Sequence, residues 1–133
     1  MERVAERLAM AESALVRLAE AMALEKPSAL ERDASIQRFE FTFEALWKAA
    51  RIFLAVREGI DSASPKGVIR ACRETGLFSE DDAELALTMT DDRNLTVHTY
   101  NEPLAIVIHE RLRRYYPLMV RWLAAMQDVC RNK

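Results

Sequence analysis

The segment DDRNLTVHTY, residues 91–100, contains four polar side chains whose types and spacing suit a chemical reaction: Arg93, Asn94, His98 and Tyr100. Histidine titrates near neutral pH, so it can accept a proton and later return it. Arginine carries a permanent charge on a planar fork of donors that matches phosphate oxygens. Asparagine can hydrogen-bond a ribose or a phosphate. The segment therefore has the residue types of an acid–base site for phosphate esters.

The same residues have a purely structural interpretation as well. Arg93 and His98 are five positions apart, or about 140° around a regular helix, and β-branched residues between them favour helix poorly. We expect a helix to end here, with Arg93 on its last turn and His98 and Tyr100 on the turn that follows. That placement would bring the side chains to one surface. Alternatively, Arg93 pairs with Asp91 or a neighbouring helix, while His98 and Tyr100 cap and pack. Spacing alone leaves both interpretations open.

Two long amphipathic helices are predicted in the first half of the chain. Apolar residues recur at three- and four-residue spacing over residues 2–25 and again over 30–58. Pro27 and Ser28 separate the two helices, and Gly59 is placed for a left-handed C-cap. The stripe of the second helix is aromatic and is predicted to lie at the centre of the core: Ile36, Phe39, Phe43, Leu46, Trp47, Ala50, Phe53 and Leu54.

Serine and glycine residues mark the ends of the next two helices. Ser64 and Pro65 suit the start of a short helix that ends near Gly76. Ser79 is the expected N-cap of a following helix that runs to about Thr96.

A final helix is predicted to begin near Pro103, with Asn101 or Glu102 as its cap, and to kink at Pro117. No strand is predicted. The chain should therefore form one all-α domain over residues 1–133, an antiparallel up-and-down bundle of four or five helices.

Composition excludes several classes of protein. A net charge of −2 argues against bulk coating of nucleic acid, although a local basic site remains open. The start MERVAER has neither a signal peptide nor a membrane span, so we expect a cytoplasmic protein. Cys72 and Cys130 are interpreted as reduced thiols. His98 and His109 are too few and too poorly spaced for a metal site.

Three stretches of the chain, in this order, resemble one family. DDRNLTVHTY is similar to the R-x-x-x-x-H-x-Y signature of HEPN domains encoded beside minimal nucleotidyltransferases. FEFTFEALWKAAR, residues 39–51, and SPKGVIRACRETGLF, residues 64–78, resemble the branch called nucleotidyltransferase substrate-binding proteins. The similarity runs from the second helix to the start of the last.

The resemblance implies an all-helical homodimer whose partner is a minimal nucleotidyltransferase encoded nearby. Arg93 and His98 match the catalytic pair of HEPN ribonucleases, and Asn94 matches the polar residue that follows the arginine. Tyr100 matches the tyrosine that the partner modifies with AMP in HEPN–MNT toxin–antitoxin pairs. Several such proteins are toxins that cut RNA without a metal, so neither metal nor cofactor is expected.

The chemistry agrees with these assignments. Cleavage of RNA by its own 2′-hydroxyl needs a base, an acid and positive charge, but each chain supplies one suitable histidine. A two-fold dimer that joins both copies of His98 would supply the second histidine.

Tyr100 is a poor nucleophile until deprotonated, and the chain lacks a loop for Mg²⁺ and ATP, so AMP must come from another protein. The added charge would act as an off switch beside Arg93. Alternatively, Tyr100 anchors the last helix.

Two functions of different classes therefore remain open. The first is a metal-independent endoribonuclease toxin that AMP transfer to Tyr100 neutralises. The second is a non-catalytic substrate-binding subunit of a two-component nucleotidyltransferase.

Charged residues outside the segment 91–100 are weaker candidates for a functional role. The last helix is locally basic, and Arg111 and Arg114 are candidates for an RNA backbone, although they equally suit solvated arginines that balance nearby acids. Glu40 and Glu44 lie one turn apart, away from the phenylalanines, and are predicted to be solvated or ion-paired.

Overall fold

Five α-helices and one short 3₁₀ turn form the chain in the computed structural model, which describes residues 2–132. The helices are α1 (Glu2–Met22), α2 (Ala29–Glu58), α3 (Pro65–Glu74), α4 (Glu80–Leu95) and α5 (Glu102–Arg131), and the 3₁₀ turn is Thr96–His98. No strand occurs within these residues. The predicted all-α fold is confirmed.

The helix starts are fixed by local hydrogen bonds, of which the sequence predicts those of α3, α4 and α5. Ser28 forms a capping box: its Oγ accepts from the backbone N–H of Glu31 at 3.1 Å, and its own N–H donates to the Glu31 carboxylate at 2.8 Å. The side chains of Ser64, Ser79 and Asn101 cap α3, α4 and α5 in turn. The cap of the last helix is therefore Asn101 rather than Glu102.

Two glycines close helices as predicted. Gly59 follows α2 with a φ of 68°, and Gly76 follows α3 with a φ of 85°, both in the left-handed region that only glycine adopts readily. The first helix is shorter than predicted, because it ends at Met22 instead of near residue 25. Met22 is the last residue of its apolar stripe that packs against the core, and Leu24 is already exposed.

The aromatic stripe of α2 lies at the centre of the bundle, where α2 contacts every other helix. Phe43 is 1% exposed and Trp47 9%, so the predicted inward face is correct. Phe39 stacks on Tyr115 of α5, with ring centroids 5.8 Å apart. This contact joins α2 to α5 in the core, and α5 continues through Pro117.

A smaller apolar cluster lies at the end of the bundle where α5 begins. Ile36 of α2 packs there against Ala105 and Ile108 of α5. This cluster fixes the first turns of α5, and hence the turn that precedes them.

Among the helices of residues 2–132, none combines the length and the apolar character that a membrane crossing requires.

Candidate functional site

A buried carboxylate fixes the last turn of α4, which carries the first of the candidate residues. The side chain of Asp92 is 4% exposed and receives a salt bridge from Arg111 at 2.8 Å and a hydrogen bond from the hydroxyl of Tyr115. Burial and the neighbouring Asp92 carboxylate both raise the pKa of Tyr115. Because both partners of Asp92 belong to α5, the residue that follows it has a defined position on the surface of the bundle.

That next residue, Arg93, points towards α2. Its guanidinium lies 3.7 Å from the carboxylate of Glu40 and 3.4 Å from that of Glu44, and it donates to the hydroxyl of Thr96 at 3.2 Å. Its Nε is buried and has no hydrogen-bond partner among residues 2–132. Arg93 is thus an ion-paired side chain, as its structural interpretation predicts.

The partners of these charges settle two questions that the sequence left open. Glu40 and Glu44 are ion-paired, as predicted. Arg93 pairs with the neighbouring helix and not with Asp91, whose carboxylate binds Lys66 of α3 at 2.6 Å.

His98 and Tyr100 stand on the 3₁₀ turn and the residues that follow it, as expected. Both are exposed, Tyr100 by 85%. The Tyr100 hydroxyl lies 3.4 Å from Nδ1 of His98, and the rings meet edge to face with centroids 5.9 Å apart. A side chain this exposed does not anchor α5, so that alternative for Tyr100 is wrong. Asn101 performs the capping instead.

The structure brings some of the candidate residues together and keeps others apart. His98 and Tyr100 are in contact, and Asn94 is exposed on the last turn of α4. Within residues 2–132, Arg93 makes no hydrogen bond to His98; its charge is directed to α2.

Exposed apolar side chains accompany the polar ones, a feature that we did not predict. Leu95 is 39% exposed and Val97 65%, within the same segment as His98. On α5, Ile106 and Val107 are 41% and 39% exposed. The signal was present in the sequence, because leucine and valine interrupt an otherwise polar segment. A contact of this segment with another protein would cover Leu95 and Val97.

The arginines of α5 mostly balance acids. Arg111 forms a salt bridge with Asp92, and Arg121 binds the carboxylate of Asp82 through two nitrogens, at 3.1 and 2.9 Å. Arg114 lines a cleft of about 680 Å³ whose other charged side chains are Asp81, Asp82 and Glu84. These surroundings favour the acid-balancing interpretation over contact with an RNA backbone.

The two thiols are free, as predicted. Cys72 is buried, and its burial raises the pKa of the thiol to about 12. No cluster of three or more metal-binding side chains occurs in the part of the chain that the structure describes.

Comparison with known proteins shows the family and the fold of the chain. A family profile described as nucleotidyltransferase substrate binding protein like matches residues 6–128. A crystal structure of a Thermus thermophilus protein is 58% identical, covers 88% of this chain and 98% of its own, and has a TM-score of 0.85. No curated protein matches the chain significantly.

Two more distant structures share the fold. A Haemophilus influenzae protein, described as showing the fold of a substrate-binding domain of a nucleotidyltransferase, is 20% identical, with a TM-score of 0.77 and coverages of 90% of this chain and 98% of its own. A tri-AMPylated Shewanella oneidensis HEPN toxin in complex with its MNT antitoxin is 13% identical, with a TM-score of 0.75 and coverages of 94% and 96%.

Proposed function

The chain belongs to the family of nucleotidyltransferase substrate-binding-like proteins, and from this we propose that it is the HEPN toxin of a HEPN–MNT toxin–antitoxin pair. The family resemblance found in the sequence is confirmed, and the fold is that of a HEPN toxin. In this proposal the protein is a metal-independent endoribonuclease, and a separately encoded minimal nucleotidyltransferase neutralises it by AMP transfer to Tyr100.

The observation that carries the proposal is the contact between Tyr100 and His98. The phenol is 85% exposed, and its oxygen lies 3.4 Å from Nδ1 of His98. A partner protein can therefore reach the hydroxyl, and a neutral histidine beside it can accept its proton.

The transfer step follows from that geometry. The partner supplies ATP and Mg²⁺. The proton of the Tyr100 hydroxyl passes to Nδ1 of His98 while the oxygen attacks the α-phosphorus of ATP. A new oxygen–phosphorus bond forms, the bond to the β-phosphate breaks, and pyrophosphate leaves. The AMP that remains adds negative charge and bulk directly beside His98.

RNA cleavage uses the same histidine in a different role. One copy of His98 removes the proton of a ribose 2′-hydroxyl, which attacks the adjacent phosphorus and expels the 5′-oxygen. A second copy of His98, from a two-fold related chain, protonates the leaving oxygen. The exposed side chains of Leu95 and Val97 support such a dimer, because a contact between two copies of this segment would cover them.

Arg93 is already ion-paired, which limits how it can bind a phosphate in this scheme. In the free chain its guanidinium is paired with Glu40 and Glu44. The RNA phosphate must therefore compete with two carboxylates, or bind at the edge of the guanidinium that they leave open.

The same ion pairs favour the second candidate function, a non-catalytic substrate-binding subunit. An arginine that joins α4 to α2 through two carboxylates has a sufficient structural role without any reaction. In that case the protein presents a substrate to the nucleotidyltransferase, or is itself the substrate.

Intact mass spectrometry after incubation with the partner nucleotidyltransferase, ATP and Mg²⁺ tests the proposal. The wild-type chain should gain one or more AMP units, and Tyr100→Phe should gain none. Tyr116→Phe is the matched control: Tyr116 is a half-buried tyrosine of α5, and its variant should be modified like the wild type. Equal modification of Tyr100→Phe and wild type would place the acceptor elsewhere and refute the proposed switch.

A further inference from the structure

A second cleft lies between the first turns of α1 and the C-terminal half of α2, and no residue of the segment 91–100 lines it. Its volume is about 410 Å³. Four of the lining side chains are cationic: Arg3, Arg7, Lys48 and Arg51.

The charges in this cleft are concentrated and mostly unbalanced. Arg3 and Arg7 lie one turn apart on α1, and Lys48 and Arg51 lie one turn apart on α2, so each pair shares a helix face. Among residues 2–132, no ion pair involves the three arginines, and Lys48 has only the Glu44 carboxylate at 3.6 Å. The whole chain carries a net charge of −2. The cluster is therefore a local feature and not part of a generally basic surface.

The other side chains that line the cleft carry no positive charge. Of the residues 2–132, Asp61 is the one carboxylate that lines the cleft, and Ile52 and Ala55 contribute its apolar part. A volume of this order suits a small molecule, and guanidinium groups match the oxygens of phosphate in shape and charge. A single phosphate would leave most of the four cations unbalanced, whereas a chain of phosphates would pair with several of them.

We propose that this cleft binds a compact polyphosphate, either an inorganic triphosphate or the triphosphate of a nucleotide. The site does not depend on the function proposed above, because it shares no residue with Arg93, His98 or Tyr100. The two sources of triphosphate differ in one respect. A nucleotide would place its base or ribose against Ile52 and Ala55, whereas inorganic triphosphate would not use that surface.

Isothermal titration calorimetry of the full chain at low ionic strength tests the site with three probes: inorganic triphosphate, ATP and AMP. Triphosphate and ATP should each bind at one molecule per chain, and AMP should bind at least roughly tenfold more weakly, because it offers fewer charge-assisted hydrogen bonds. Equal affinities for triphosphate and ATP would assign recognition to the phosphate chain alone. Tighter binding of ATP would add a contact with the nucleoside.

Two variants locate the site. Arg7→Gln combined with Arg51→Gln should weaken binding of triphosphate by roughly tenfold or more. Arg73→Gln, which removes an exposed arginine of α3 outside the cleft, should leave it unchanged. Circular dichroism tests whether each variant is folded, and Arg7→Lys with Arg51→Lys keeps the charge if the glutamine variant fails to fold.

Three results would overturn the proposal. These are the absence of saturable binding by either triphosphate, equal affinities of AMP and ATP, and triphosphate binding that survives the double substitution. A single-stranded RNA that binds more tightly than triphosphate, and depends on the same two arginines, would assign the cleft to a nucleic-acid backbone instead.

Discussion

The hydroxyl of Tyr115 donates a hydrogen bond to the buried carboxylate of Asp92, and this bond joins α5 to α4 one residue before Arg93. Arg111 is the other partner of the same carboxylate. The candidate site thus rests on a charged group that is almost completely removed from water and balanced from one neighbouring helix.

Tyr115→Phe should destabilise the protein by roughly 1–3 kcal/mol, because it removes one of two partners from a buried carboxylate and leaves an oxygen unsatisfied. Denaturant unfolding followed by circular dichroism measures the change. Tyr116→Phe, at a half-buried position whose hydroxyl donates to no side chain among residues 2–132, is the control and should change the unfolding midpoint little. Equal midpoints for the two variants would mean that the bond to Asp92 contributes nothing to stability.

Phe43→Ala should lower the free energy of unfolding by roughly 3–5 kcal/mol, because the ring is 1% exposed and its loss leaves a cavity in the core. Phe41→Ala provides a matched control two residues away on α2, where the ring is 57% exposed. Thermal or denaturant unfolding of both variants gives the comparison. A Phe43→Ala protein as stable as Phe41→Ala would contradict the assigned core face.

If the proposed site cleaves RNA, Arg93→Ala and His98→Ala should each reduce cleavage by at least about a hundredfold, since one removes the proposed phosphate-binding charge and the other the proposed proton-transfer group. Both variants should remain helical and keep the oligomeric state of the wild type. Cleavage of a broad panel of RNAs by purified protein is the assay, with Arg113→Ala, an exposed arginine of α5, as the control. Wild-type protein that cuts none of these RNAs, and is harmless when expressed alone, would favour the non-catalytic subunit.

Stability should fall at alkaline pH because of Cys72. Burial raises the pKa of its thiol from 9.0 to about 12, so the folded state holds this proton more tightly than the unfolded state does. The resulting stabilisation is complete below pH 9 and is lost as pH rises towards 12, by about 1.4 kcal/mol per pH unit at most. Tyr115, whose pKa is also raised, adds to the loss above about pH 10.

Urea unfolding, measured between pH 8 and 11 at intervals of roughly one pH unit, separates the contributions of Cys72 and Tyr115 to the loss of stability. Cys72→Ala should flatten the decline that begins near pH 9, although it costs some packing at every pH. Cys130→Ala, at a half-buried position, should keep the wild-type slope. If Cys72→Ala and wild type decline in parallel, the thiol is not the cause.

The sequence predicts those parts of the fold that depend on neighbouring residues. The predicted caps Ser64 and Ser79 act on backbone N–H groups three residues away, and the spacing of Phe39 and Phe43 identifies the buried face of α2 directly. Element boundaries and the core follow from such local rules.

The partners of charged residues could not be predicted in the same way. Arg93 forms an ion pair with Glu44 because of where along its axis, and in which orientation, α4 packs on α2. A sequence pattern contains no information on either the position or the orientation. The same is true of Asp92, which looks like an ordinary helix-surface carboxylate in the sequence but is buried between Arg111 and Tyr115. Pairing across helices is a property of the assembled bundle.

The turn between α4 and α5 is held by hydrogen bonds at nearly every residue. Thr96 and Thr99 donate their hydroxyls to backbone carbonyls at 2.6 and 2.9 Å, the N–H of Asn101 donates to the carbonyl of His98 at 3.0 Å, and the Asn101 side chain caps α5. Tyr100 is therefore an exposed side chain on an ordered backbone. A protein that docks on it should lose little chain entropy on binding, because these hydrogen bonds already hold the loop. Recognition of this tyrosine should accordingly resemble the docking of two rigid bodies, with a heat-capacity change set by the covered apolar surface and not by folding of the loop.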